Sequence, residues 1–266
     1  METAVTIAPR SVLFVPAVRP SMIAKAAGMA ADLIVLDLED AVRAEDKAAA
    51  RAALPVSLEL LHGRCAAVRV NAGDTAHFAA DIAMIGSAEV PLVVVPKVES
   101  RDDLAPLDGR PVLAMIETPT GVLAAARIAA TPGVVGLMVG TNDLAASLRL
   151  PTGAGRGSLS HALQAVVLAA RAAGGWAIDG VFNALNDPQG LSRECAEGRM
   201  LGFDGKSLIH PDQIAIANTA FSPSAAELEE ATAIIGAATG GAERFQDRMI
   251  EDMHVEMARR TLQRAP

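Results

Sequence analysis

The chain has no tyrosine, one tryptophan (Trp176) and six phenylalanines, so aromatics make up 3% of its 266 residues. A protein that stacks bases needs a platform of aromatic rings, and there is little material here for one. Positive charge is also short: 23 lysines and arginines stand against 31 acidic residues, for a net charge of −8. Nucleic-acid-binding domains are normally basic, so no nucleic-acid partner is expected. A small anionic ligand stays open, because local potential matters more than total charge. The two cysteines, Cys65 and Cys195, are far apart and outside any C-x-x-C pattern. That argues against a disulfide framework or a zinc ribbon and fits a reducing compartment. No run of about 18 apolar residues occurs, so no membrane-spanning helix and no membrane partner are expected. The opening METAVTIAPRSVLF lacks a basic stretch, an apolar stretch and a cleavage site in series. A cytoplasmic protein is the expectation.

The apolar share is 51%, enough for a large core. It falls into eight short runs rich in Val, Ile and Leu, at 11–17, 32–37, 66–71, 92–98, 112–117, 134–140, 176–182 and 205–210. Most are continuous rather than alternating, as suits strands buried on both faces of a parallel sheet. Ala-rich segments with helical character lie between them, as at 43–61, 120–130, 159–173 and 189–201. Alternating strands and helices imply right-handed β-α-β units, and eight of them close naturally into a (β/α)8 barrel. An open doubly wound sheet is the runner-up, but the first strand leads into V-P-A-V-R-P (15–20) rather than G-x-G-x-x-G. The barrel is assigned to 1–222 and a C-terminal helical extension or lid to 223–266. Within the extension, Ser224 and Glu227 form a capping-box pattern, Gly240-Gly241 breaks the helix, and 244–265 is amphipathic.

In such a barrel the strand C-termini face the active site. The polar residues there are Asp37, Glu39 and Asp40; Arg69 and Asn71; Lys97 and Glu99; Glu117; Asn142 and Asp143; Asp179 and Asn183; Lys206 and His210. Glu117 and Asp143 are 26 residues apart, the span of one strand–helix–strand unit. Two carboxylates converging there, without Cys or paired His, suit Mg²⁺ or Mn²⁺ completed by water and substrate. Capping of the next helix is the competing role. Arg69 sits inside the apolar V-R-V-N, where a guanidinium needs an anionic ligand or an internal partner such as Asp37 or Glu39. The two roles are evenly balanced, and the D-L-E-D turn (37–40) would hold either Arg69 or a metal-bound water. The glycine-rich stretch 153–157 could cradle a phosphate with Arg156, although a plain flexible loop is commoner. Arg10, Arg19 and Lys25 could meet an anion, with solvation as their default role. His210, before Pro211, reads as a helix start.

Taken in order, R-S-V-L-F-V-P-A (10–17), D-L-I-V-L-D-L-E-D-A-V (32–42), V-R-V-N (68–71), V-P-K-V-E (95–99), I-E-T (116–118), G-T-N-D-L (140–144), A-I-D-G-V-F (177–182) and L-G-F-D-G-K-S-L-I-H-P-D-Q (201–213) form a series. This series resembles the citrate lyase β-subunit-like branch of the HpcH/HpaI aldolase family, over nearly the whole chain. The resemblance implies a TIM barrel, with Glu117 and Asp143 as Mg²⁺ ligands and Arg69 as the substrate-binding arginine. Asn142 falls where relatives often carry an acidic residue, and Glu117 and Asn142 join Arg69 at the substrate. The implied reaction makes or breaks a carbon–carbon bond between a 2-oxo acid and an acyl-CoA thioester, as in malyl-, citramalyl- and citryl-CoA lyases. Arg69→Ala would then remove activity and leave the fold intact. The pyruvate-aldolase branch carries D-x-E-H after the second strand, its histidine acting as a base; Asp40 stands in that place here. CoA-lyase relatives also carry an M-I-D motif near the C-terminus, whose aspartate enters an active site, often that of a neighbouring subunit. This chain reads Met249-Ile250-Glu251-Asp252, with Glu251 in the aspartate's place as a catalytic carboxylate. A homo-oligomer, a trimer or a hexamer, is implied as well. A non-catalytic acyl-thioester-binding protein is the alternative from another class.

Overall fold

The structure is a computed structural model and describes residues 7–265. Eight parallel strands close a barrel in sequence order: β1 (Ser11–Pro16), β2 (Leu33–Asp37), β3 (Ala66–Arg69), β4 (Val93–Val95), β5 (Val112–Ile116), β6 (Val134–Val139), β7 (Trp176–Asp179) and β8 (Gly205–Leu208). Each strand lies inside one of the eight apolar runs. Closure comes from β8 pairing with β1, Lys206 opposite Ser11. The (β/α)8 expectation holds and the open sheet does not.

The helices are α1 (Pro20–Ala27), α2 (Lys47–Leu60), α3 (Phe78–Ser87), α4 (Pro119–Ala129), α5 (Thr141–Ser147), α6 (Ser160–Ala172), α7 (Pro188–Leu201), α8 (Ile214–Phe221), α9 (Ala225–Ala237) and α10 (Asp252–Gln263). The crossover from β4 to β5 is a 3₁₀ helix alone, Arg101–Leu107, opened by Asp103 accepting the Ser100 N–H at 2.8 Å. Pro106 inside it has no backbone donor to give. Among the described residues no helix is long and apolar enough to cross a membrane.

Side-chain alternation decides what enters the barrel. Leu33 and Val35, Ala67, Leu113 and Met115, and Met138 pack in the central apolar cluster. Two residues further along the same strands stand Asp37, Arg69, Glu117 and Gly140. The period-two rule therefore carries these four inward, at the strand ends. Register places Asp37 beside Arg69 and Ile116 beside Val139. Each large apolar side chain buried in this layer stabilises the barrel by roughly 1.5–3 kcal/mol.

The chain divides into two compact units, the first ending at Asn218 and the second beginning at Thr219. The second holds α9, α10 and an antiparallel hairpin of β9 (Glu243–Phe245) and β10 (Arg248–Ile250). Ser224 caps α9 as expected: Glu227 accepts the Ser224 N–H at 2.7 Å, and Ser224 Oγ accepts the Glu227 N–H at 3.3 Å. The stretch 244–265 is not helical throughout, which corrects the sequence expectation. Its start is the hairpin, turned at Gln246, whose φ is +53°. Phe245 and Ile250 pack there against Ala231, Ile234 and Ala258. The helix begins only at Asp252.

Candidate active site

The D-L-E-D turn is tied from both ends. Asp37 accepts the backbone N–H groups of Glu39 at 2.8 Å and Ala41 at 3.1 Å. Lys47 Nζ donates to the carbonyls of Leu38 and Glu39, both at 2.8 Å. Held this way, Asp37 receives Arg69 in a two-pronged pair, Nε to Oδ1 at 2.7 Å and Nη2 to Oδ2 at 2.6 Å. Arg69 Nη1 also lies 3.0 Å from Glu39 Oε2 and 3.6 Å from Asp40 Oδ2. The Glu39 contact is an ion pair without hydrogen-bond alignment, so that buried oxygen has no hydrogen-bond partner. The guanidinium lies 4.9 Å from the centre of the Phe14 ring. Arg69 thus has internal carboxylate partners and still lines the cavity at the barrel mouth.

That cavity, of about 470 Å³, is lined by Asp37, Asp40, Arg69, Glu117, Asn142 and Asp143, with an apolar wall that includes Phe14 and Met115. Glu117 directly follows β5 and is 2% exposed. It does not cap the next helix, because Thr118 does: its Oγ1 accepts the Gly121 N–H at 3.0 Å. Instead Glu117 Oε1 accepts the Lys97 N–H at 2.8 Å. Its Oε2 lies against Gly140, where a Cβ would stand 2.1 Å away. Only glycine at the end of β6 leaves room for this carboxylate. Asp143 stands half-buried in the first turn of α5, one turn beyond Gly140.

Asn142 and Asn183 join the β6 and β7 ends through a reciprocal amide pair, Asn183 Nδ2 to Asn142 Oδ1 at 2.7 Å and Asn142 Nδ2 to Asn183 Oδ1 at 3.3 Å.

Five carboxylates (Asp37, Glu39, Asp40, Glu117 and Asp143) and two cations (Arg69 and Lys97) meet at this mouth. Burial pushes Glu39 up to about 8 against the pull of Arg69, with Asp40 and Glu117 adding repulsion. Burial followed by the charge of Asp143 pushes Glu117 up to about 7, although the Lys97 N–H works the other way. Excess negative charge held out of water is the setting in which a divalent cation is favourable. Among the described residues no group of three or more His, Cys, Asp and Glu is arranged to hold a metal ion. Two carboxylates still fit Mg²⁺, which is usually held by one or two of them with water and substrate oxygens.

The raised pKa values fix a pH dependence for the metal-free protein. Between the ordinary carboxylate range and about pH 7–8 the folded state holds more protons on Glu39 and Glu117 than the unfolded chain does. Stability therefore falls as pH rises through that window. Thermal unfolding from pH 5.5 to 8.5 is expected to show a declining Tm, with a shallower decline in Glu39→Gln/Glu117→Gln. Equal slopes in the two proteins would contradict the assignment.

Several strand-end residues do not reach the cavity. Asp179 and Lys206 are fully buried on the outward side of β7 and β8, where Lys206 Nζ binds Asp179 at 3.0 Å and Glu194 of α7 at 2.7 Å. Arg156 Nη2 donates to both Asp179 oxygens at 2.9 Å, and its guanidinium also faces Glu194 and Glu197. The phosphate-cradle expectation for 153–157 is therefore corrected: the arginine anchors α7. Asn71 turns to Asp81 of α3, its N–H and Nδ2 donating at 2.8 and 2.6 Å. Arg10 pairs with Asp32 at 2.8 Å, while Arg19 and Lys25 are exposed on or beside α1. His210 Nδ1 accepts the Asp212 N–H at 3.2 Å, the helix-start role expected of it. Glu251 belongs to the second unit and precedes α10, its N–H donating to His254 Nδ1 at 3.0 Å.

Sequence reasoning missed the parts played by Gly140 and by the Lys97 backbone. For Gly140 a signal existed: a glycine at a strand end, three residues before an acidic candidate, marks close approach by another group. Lys97 carried no comparable signal.

The profile of the HpcH/HpaI aldolase/citrate lyase family matches residues 10–211. A (3S)-malyl-CoA thioesterase of Cereibacter sphaeroides is 44% identical over 269 residues, covering 96% of this chain and 94% of its own. A citrate lyase subunit beta-like protein of Mycobacterium tuberculosis is 38% identical over 263 residues, covering 95% and 94%. The crystal structure of CitE from M. tuberculosis with magnesium, acetoacetate and coenzyme A superposes with a TM-score of 0.85 at 37% identity, covering 97% of this chain and 98% of that one. With the barrel and its acidic mouth, these likenesses place the protein in the HpcH/HpaI aldolase/citrate lyase family of lyases, in the citrate lyase β-subunit-like branch.

Proposed function

We propose that the protein is a Mg²⁺-dependent carbon–carbon lyase acting on a short 3-hydroxyacyl-CoA that bears a second carboxylate, of the malyl-, citramalyl- or citryl-CoA class. The observation that carries this reading is that Glu117, Asp143 and Arg69 line the same cavity at the barrel mouth. The family supports it: CitE of M. tuberculosis was crystallised with magnesium and oxaloacetate, and with magnesium, acetoacetate and coenzyme A. Glu117 and Asp143 would hold the ion, which when bound supplies a Lewis acid for the substrate oxygen that becomes the carbonyl. Asn142 and Glu117 line the substrate's path, and Arg69 offsets negative charge on the departing thioester enolate. Glu251, supplied by a neighbouring subunit as the aspartate of the relatives' M-I-D motif often is, would take the hydroxyl proton in cleavage. The carbon–carbon bonding pair passes to the enolate, which is then protonated at carbon by the proton that Glu251 has taken. The same reading includes a trimeric or hexameric homo-oligomer, to be read by light scattering, and a cytoplasmic location, to be read by cell fractionation.

A second reading is hydrolysis of the same thioester, favoured by the 44% identical relative whose name is (3S)-malyl-CoA thioesterase. Product analysis by mass spectrometry separates the two. Lysis of malyl-CoA gives glyoxylate and acetyl-CoA, whereas hydrolysis gives malate and free CoA. Cleavage of 4-hydroxy-2-oxo acids instead would mark a pyruvate aldolase, and ligand binding without any turnover a non-catalytic protein. Lysis dependent on Mg²⁺ is expected. Glu251→Gln is expected to lower kcat by about a hundredfold or more with metal affinity unchanged.

A further inference from the structure

Lys97 follows Pro96 and has a φ of +52°, in the left-handed region that side chains other than glycine, asparagine and aspartate seldom adopt. Nothing about a surface lysine requires this, and backbone strain persists only where its surroundings enforce it. What the conformation achieves is local. It aims the Lys97 N–H at Glu117 Oε1, 2.8 Å away. With Oε1 held from the β4 side, Oε2 is turned against Gly140, on the side of β6 that leads to Asp143. The Lys97 side chain, 41% exposed, sends its Nζ to 3.7 Å from Glu39 Oε1, and Asp143 and Glu117 lie within range of its charge.

We propose that Lys97 is a positioning residue whose left-handed backbone, and not its ammonium, orients Glu117 for the divalent cation. The inference rests on the reading of Glu117 as a metal ligand. A backbone N–H suits the task, because it fixes one carboxylate oxygen without a side-chain rotor. The residue type at 97 then acts through its tolerance of positive φ. Glycine adopts it freely, alanine about as readily as lysine, and valine, branched at Cβ, far less.

The test is Mn²⁺ affinity by electron paramagnetic resonance, a readout independent of turnover, in the wild-type protein and in Lys97→Gly, Lys97→Ala and Lys97→Val. Circular dichroism checks the fold of each. Lys97→Gly is expected to bind Mn²⁺ at least as tightly as the wild type does, having lost only an ammonium whose charge opposes the ion. Lys97→Val is expected to bind about tenfold or more weakly, within the range for groups that orient a ligand, whereas Lys97→Ala, unbranched at Cβ as lysine is, is expected to stay close to the wild type. If the valine variant does not fold, Lys97→Thr, also branched at Cβ, takes its place. Equal affinity across the folded variants, or a loss in glycine as large as in valine, would overturn the inference and leave the metal reading standing. A wild-type protein that takes up no Mn²⁺ would overturn both.

Discussion

Glu117→Ala or Asp143→Ala is expected to abolish Mg²⁺ binding and, with it, turnover. On the proposed reading Glu117 and Asp143 are the protein's two oxygen ligands to the ion, so losing either removes half of the protein's share. Because altering a group that merely orients a ligand costs about 10–100-fold in affinity, losing the ligand itself is expected to cost more than about a hundredfold. Titration calorimetry reads this directly, and unchanged affinity in either variant would reject the assignment. Glu117→Ala carries a second signature. Burial pushes the Glu117 carboxyl up to about 7, so in the metal-free protein at pH 8 it is an ion held out of water beside Asp143. Its removal is expected to raise the Tm of the metal-free protein at that pH while activity disappears. A functional group that strains the empty fold shows this opposition of stability and activity. Added Mg²⁺ is expected to raise the wild-type Tm more at pH 8 than at pH 6, since protons compete for Glu117 at the lower pH.

Arg69→Ala is expected to abolish activity and also to lower stability, by about 3–5 kcal/mol, the usual cost of breaking a buried ion pair from one side. The sequence alone suggested an intact fold for this variant. The structure changes that expectation, because Asp37 is 1% exposed and both of its oxygens receive the guanidinium. Glu39 would lose its nearest cation at the same time. The two effects can be separated. Arg69→Ala/Asp37→Asn removes the stranded charge and is expected to regain a large part of the lost stability without regaining turnover. Chemical denaturation and steady-state kinetics on the two variants check it. If the single variant keeps wild-type stability, the ion pair is not holding the strand ends. If it keeps wild-type kcat/KM, Arg69 has no place at the substrate.

The two sides of Arg69 show how far the sequence could be read. A guanidinium within V-R-V-N had to be neutralised, and the D-L-E-D turn was the nearest source of carboxylates. Both Asp37 and Glu39 turn out to serve, because β2 and β3 are register neighbours. Arg156 shows the opposite outcome. A glycine-rich loop with one arginine looks like an anion cradle, yet its partners Asp179, Glu194 and Glu197 come from β7 and α7, more than twenty residues further along. No local pattern announces such pairing, and only the packing of α7 on the barrel wall creates it. The hairpin at 243–250 escaped for a related reason. Its strands are three residues each, too short for a period of two to stand out beside the helical pattern that follows.

What the sequence by itself determined is the architecture and which polar side chains gather at the barrel mouth. Eight continuous apolar runs leave few ways to bury a parallel sheet, and a period of two along each strand dictates that Asp37, Arg69 and Glu117 face inward with their apolar neighbours. What only the tertiary structure decided is how those side chains are held: Glu117 oriented by a left-handed Lys97 and fitted against Gly140, Arg69 shared among carboxylates, and Asp179 and Lys206 turned away into the wall. These depend on distances between strands that are remote in the chain, and such distances exist only once the barrel has closed.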